Sequence, residues 1–131
     1  TNQAIGLVHG WQSLVGGGPY PTPPVEDAAH VYKHVIILLT DGLNTQDRWY
    51  GDGYNTSTQV NDRQAPLCTN IKNAGITLYT VQVNTDGSPT STLLQNCASS
   101  SDKFFLLTKA DQMVTTFQQI GTELSDLRIS N

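Results

Sequence analysis

Residues 35–39 read Val-Ile-Ile-Leu-Leu, five aliphatic side chains in succession, with Lys33 and His34 before them and Thr40, Asp41 and Gly42 after. A run without polar alternation fits a strand buried on both faces, as in a parallel sheet covered by helices on each side. Parallel strands need long crossovers, so the rest of the chain must supply helices. Ile5, Val8 and either Trp11 or Leu14 recur at a helical period that stops at Gly16, Gly17 and Gly18. From Gly16 to Pro24 three glycines and four prolines leave only an irregular loop. Asp41 to Thr56 is polar and aromatic without periodicity, a long loop leaving the strand's carboxyl end.

Asn61 is placed to cap a second helix, with Gln64 three residues on, Pro66 in the first turn, Leu67, Ile71 and Ala74 as its buried stripe and Gly75 as its end. Ile76 to Val83 reads as a second strand. Ser88 with Pro89 opens a short helix running to about Ala98, and Lys103 to Leu107 is a third strand. Thr108 and Asp111 resemble a capping box before a closing amphipathic helix lined by Val114, Phe117, Ile120, Leu124 and Leu127. Helix, strand, helix, strand, helix, strand, helix is the order of an α/β fold with parallel strands and right-handed crossovers. At 131 residues and 14.2 kDa this is one domain, residues 1–131.

Two right-handed crossovers laid down in one direction place the second and third helices side by side on one face of the sheet. Cys68 lies early in the former and Cys97 at the end of the latter, so a disulfide is reasonable; two separate buried thiols are the alternative. Such a bridge would stabilise the fold by roughly 3 to 4 kcal/mol in the chain-entropy model and imply an oxidising compartment. Twenty-five Ser and Thr and a charged fraction of only 14% suit a protein outside the cytoplasm. The net charge of −4 argues against nucleic acid or anionic lipid as the main partner. No run reaches the length of a membrane span, and the first residues lack the features of a signal peptide, so the chain is expected to be a piece of something longer.

Chemistry is expected where the first strand ends. The run Val35 to Thr45 delivers Thr40, Asp41, Gly42, Asn44 and Thr45 to the carboxyl end, where open α/β sheets bind ligands. A carboxylate among hydroxyls suits Mg²⁺ or Ca²⁺, which makes Asp41 the leading ligand; alternatively Asp41 caps its own turn through Asx-type hydrogen bonds. Trp49, Tyr50 and Tyr54 on the following loop either form a contact surface for a partner or fold back over the sheet. Gly16 to Gly18 follow a helix and so are no phosphate-binding loop, no Gly-x-Ser-x-Gly surrounds any serine, and Asp47, Asp52 and Asp62 lack the spacing of an EF-hand.

At Thr40-Asp41-Gly42 the chain resembles the von Willebrand factor A family, whose metal-ion-dependent adhesion site uses an Asp in such a strand end. That family adds an Asp-x-Ser-x-Ser after its first, central strand, a motif absent here, and a separate Thr before a helix, a position that Thr1 matches. The segments LCTNIKNAGITLYTVQV and LLQNCASSSDKFFLLTKADQMVTTFQQIGTELSDLRIS, with TDGLNT before them, are similar to the carboxyl-terminal part of bacterial TadG-type pilus-assembly proteins. The likeness covers Thr1 to Arg128. It implies the second half of a doubly wound, Rossmann-like sheet of order 3-2-1-4-5-6, holding strands 4 to 6 without the central strand. The strand Val35 to Leu39 would then have an open edge, covered by a second copy or by the missing amino-terminal half.

The resemblance further implies a membrane-anchored parent with this domain in the periplasm or at the cell surface. It implies a non-enzymatic adhesion module in which Asp41 and Thr1 help to hold Mg²⁺ or Ca²⁺ for a carboxylate of a pilus or envelope protein. Asp41 and Thr1 alone would bind such an ion weakly. Two other readings are a Mg²⁺-dependent phosphate-ester hydrolase, which would want a lysine near the same strand ends where Lys33 and Lys103 do not lie, and a metal-free packing module.

Overall fold

Three parallel strands, β1 (Val35–Thr40), β2 (Thr77–Val83) and β3 (Phe104–Leu107), form an open sheet in the order β1-β2-β3. The computed structural model describes residues 1–126; Leu127, the last residue of the expected closing stripe, and Arg128 lie outside them. Val35 pairs with Thr77 and Thr40 with Gln82, while Thr80 pairs with Phe104 and Val83 with Leu107. Four helices flank the sheet: α1 (Gln3–Val15), α2 (Thr58–Asn73), α3 (Thr92–Cys97) and α4 (Gln112–Asp126). The result is an α/β protein with the architecture of half a Rossmann-like sheet.

The two faces are packed unequally. Ile36, Leu38 and Leu78 point to one side, against Leu7 of α1, Cys68 and Ile71 of α2, and Leu94 and Cys97 of α3. On the other side α4 is the one helix among the described residues, and its Ile120 packs with Tyr79, Val81 and Leu107, with Met113 and Leu124 at the margin. α2 and α3 are neighbours on one face, joined by a Cys68–Cys97 disulfide with both cysteines buried.

β2 is buried on both faces, but β1 is not. Ile36 and Leu38 are covered, whereas Ile37 and Leu39 are 36% and 44% exposed. α4 lies over β2 and β3 and reaches only Val35 of β1, and among the described residues no strand pairs with the other edge of β1. The expectation of a first strand buried on both sides is therefore corrected: its composition suits such a position, and its surroundings here do not provide it.

Three helix starts also differ from the sequence reading. α2 begins at Thr58 under Ser57, whose Oγ accepts from Val60 N, so Asn61 lies inside the helix and Pro66 in its third turn. α3 is capped by Ser91, whose Oγ accepts from Leu94 N, and not by Ser88. Before α4, Gln112 rather than Asp111 reaches back, its Oε1 accepting from Thr108 N and Lys109 N. Each shift has one cause: several hydroxyl and amide residues in a row can all cap, and tertiary packing selects among them. The end of α2 is as expected, with Gly75 at φ 78° and Ile76 N donating back to Ile71 O.

Candidate functional site

β1 ends at the buried Thr40, and this side chain builds the turn that follows. Its Oγ1 donates to Gly42 O at 2.8 Å and accepts from Gly42 N at 3.2 Å. The turn-closing role considered for Asp41 thus falls to Thr40. Asp41 itself is exposed at the carboxyl end of the sheet, and among the described residues its carboxylate has no hydrogen-bond or ion-pair partner.

Thr1 belongs to the same crest. Its main-chain nitrogen donates to Thr45 Oγ1 at 2.6 Å, and its carbonyl accepts from Thr45 N at 2.9 Å and Gln46 N at 3.3 Å. Its hydroxyl lies 3.5 Å from where a Cβ on Gly42 would stand, so Gly42 lets Thr1 approach the turn closely. The structure therefore brings Thr1, Thr40, Gly42 and Thr45 together beside Asp41. Asn44 is placed differently: it is buried behind the crest, its Oδ1 accepting from Gln3 N at 2.8 Å and its Nδ2 donating to Gln64 Oε1 at 2.7 Å and Asn61 Oδ1 at 3.0 Å.

Gln3 and Gln64 complete this network; the sequence reading did not single out Gln3 and took Gln64 only as part of a helix cap. Gln64 Nε2 donates to Gln3 Oε1 at 3.0 Å, and Gln3 Nε2 donates to Gly42 O at 2.8 Å. Both amides are buried, and together they tie the start of α1, the β1 turn and the side of α2 into one unit. A signal was present: Gln64 stands four residues before Cys68 and seven before Ile71, on the apolar stripe of α2.

The loop beyond the crest is organised by two aspartates. Asp47 Oδ1 accepts from Trp49 N and Tyr50 N, both at 2.7 Å, and these bonds, aided by nearby Arg63, hold its carboxyl below the usual range. Asp52 accepts from Asn55 N, Asn55 Nδ2 and Tyr54 N, which pull its pKa down to about 2. Gly51 adopts φ 90°, and a Cβ there would collide with Thr45 O, so only glycine fits between the two turns. The aromatic residues do not cover the sheet. Arg63 of α2 lies 4.8 Å from the Trp49 ring centroid and 5.2 Å from that of Tyr50, while Trp49 and Tyr54 are 66% and 92% exposed.

Among the described residues no group of three His, Cys, Asp or Glu side chains converges as a metal site. Asp41 and Thr1 offer one carboxylate and one hydroxyl, where Mg²⁺ or Ca²⁺ takes six or more oxygens, so the described residues furnish only part of a coordination shell. Lys103 stands at the opposite end of the sheet, paired with Asp102 at 2.9 Å and Glu123 at 3.5 Å, and Lys33 precedes β1.

Fold and crest together define a class, an α/β chain with an open parallel sheet and an unpaired acid at its carboxyl edge. Comparison with protein-family models, with curated proteins and with solved structures returns no match. No helix among the described residues is long and apolar enough to cross a membrane, and the Cys68–Cys97 bridge is compatible with an extracytoplasmic location.

Proposed function

We propose that the chain is an extracytoplasmic protein-binding module of the von Willebrand A type, serving pilus assembly in the manner of TadG-like proteins, and that it is not an enzyme. Asp41 and Thr1 contribute part of a metal-ion-dependent adhesion site, the remaining oxygens coming from a segment outside this chain. The observation that carries the reading is the Asp41 carboxylate, which stands without a partner at the sheet's carboxyl edge because Thr40 has taken over the turn. When bound, a divalent ion there would offer an open position to a carboxylate of a pilus or envelope protein. The open edge of β1 supports the same reading, since a strand of this composition gains most when a further strand pairs with it.

The test is paramagnetic broadening by Mn²⁺, standing in for Mg²⁺. At concentrations around 1 mM, the weak end for extracellular sites, signals of Asp41, Gly42 and Thr45 should broaden first, and Asp41→Asn should abolish the effect. Broadening centred on Asp52 or Asp62, or unchanged by Asp41→Asn, contradicts the assignment.

A further inference from the structure

The proline-rich strap between α1 and β1 has no part in the crest. Pro21-Thr22-Pro23-Pro24 has the spacing read by aromatic-lined grooves, and the segment is free of regular structure, with Val25 98% exposed. Thr22 and Pro23 lie against Gly16, which adopts φ 81°, so the strap is fixed at the carboxyl end of α1. Glu26 and Asp27 follow it directly, and each meets a histidine of its own chain, His34 at 3.2 Å and His30 at 2.9 Å.

The same molecule carries a surface of matching chemistry. A groove of about 550 Å³ runs between α1 and α2, with Ile5, Val8, Pro66 and Leu67 as its apolar lining and Trp49 as a wall. Arg48 and Arg63 line it as well, two of the seven Lys and Arg in a chain of net charge −4. Asp47 also lines it but is offset by Arg63 Nη1 at 3.4 Å, so Arg48 supplies the groove's net positive charge. His9, also in its lining, faces the hydroxyl of Tyr20 at 3.3 Å, so the residue just before the strap already borders the groove.

We infer that the strap of one copy, Pro21 to Val25 with Glu26 and Asp27, docks into the α1–α2 groove of another, with its prolines and Val25 on the apolar lining and its acids towards Arg48. A stiff polyproline segment loses little entropy on docking, and the opposite charges set its direction. Strap and groove are different patches of one chain, so the contact joins two copies through unlike surfaces. This inference is independent of the reading of Asp41.

The test is titration of the ¹⁵N-labelled chain with a synthetic peptide of residues 18–28. The two tryptophans provide an internal control: the Trp49 indole signal should shift saturably and that of Trp11, outside the groove, should not. Arg48→Glu should weaken binding about tenfold, and a peptide carrying Glu26→Lys and Asp27→Lys should restore it to that variant. Without peptide, sedimentation equilibrium should show mass rising with concentration, and Arg48→Glu should lessen the rise. Absence of a Trp49 shift overturns the inference. So does equal binding of a peptide with Pro21, Pro23 and Pro24 replaced by alanine, or binding of an unrelated acidic proline-rich peptide when the chain's own strap does not bind.

Discussion

Asn44 spends every polar group of its side chain on holding three elements in place. Asn44→Ala would leave Gln3 N–H and the buried amide of Gln64 short of partners, at a cost of about 2–4 kcal/mol in urea denaturation. A wild-type midpoint would show that the network does not support the crest. Asp52 makes a prediction of another kind. Its pKa is depressed to about 2 by Asn55 and Tyr54, so its contribution to the loop is complete above the ordinary value of 3.8 and fades as pH falls through about 2. The amide signals of Tyr54 and Asn55 should titrate with a midpoint near 2, and a midpoint near 3.8 would mean that those bonds do not form. At this scale the sequence was readable where chemistry is singular, as for Asp41 at a strand end. It was ambiguous where amides and hydroxyls cluster: Asn61 and Gln64 have the spacing of a helix cap, yet they serve as partners of Asn44 inside α2, and spacing alone cannot separate the two roles.

Elements were legible in type and order because their hydrophobic periods are long, and less so in the face they present. Topology made the bridge between α2 and α3 reasonable, since both crossover helices share one side, and the structure decides for it over two separate thiols. Cys68→Ser with Cys97→Ser should lower stability by about 3.5 kcal/mol, as expected for a separation of 29 residues, and a loss under 1 kcal/mol would contradict the loop-closure account. α4 is turned relative to its sequence stripe. Ile120 is buried, but Val114 and Phe117 are not, and the packed face runs through Met113, Thr116, Ile120 and Leu124. Glu123 explains the direction of the turn: it accepts from Tyr79 Oη at 2.9 Å and meets Lys103, anchoring one flank of α4 over the β3 side of the sheet. Ile120→Ala should cost about 2–4 kcal/mol, and Val114→Ser should stay within about 0.5 kcal/mol of neutral. Equal losses at the two positions would restore the sequence-derived face.

At the scale of the whole molecule, the described residues carry more apolar surface than their own elements cover. Ile37 and Leu39 on β1 and Val114 and Phe117 on α4 are exposed, and the outer edge of β1 is unpaired among the described residues. The aliphatic run 35–39 has the composition of a strand covered on both sides; composition alone does not show that the described helices cover one side of it, whereas the likeness to the second half of a doubly wound sheet implied an open edge and a half-uncovered face. A further chain is expected to pair with this edge. Light scattering combined with amide hydrogen exchange decides the matter. A mass above the single-chain 14.2 kDa is expected, with slow exchange at the β1 amides that face away from β2. A monodisperse species of 14.2 kDa at every concentration, with those amides exchanging freely, would contradict it.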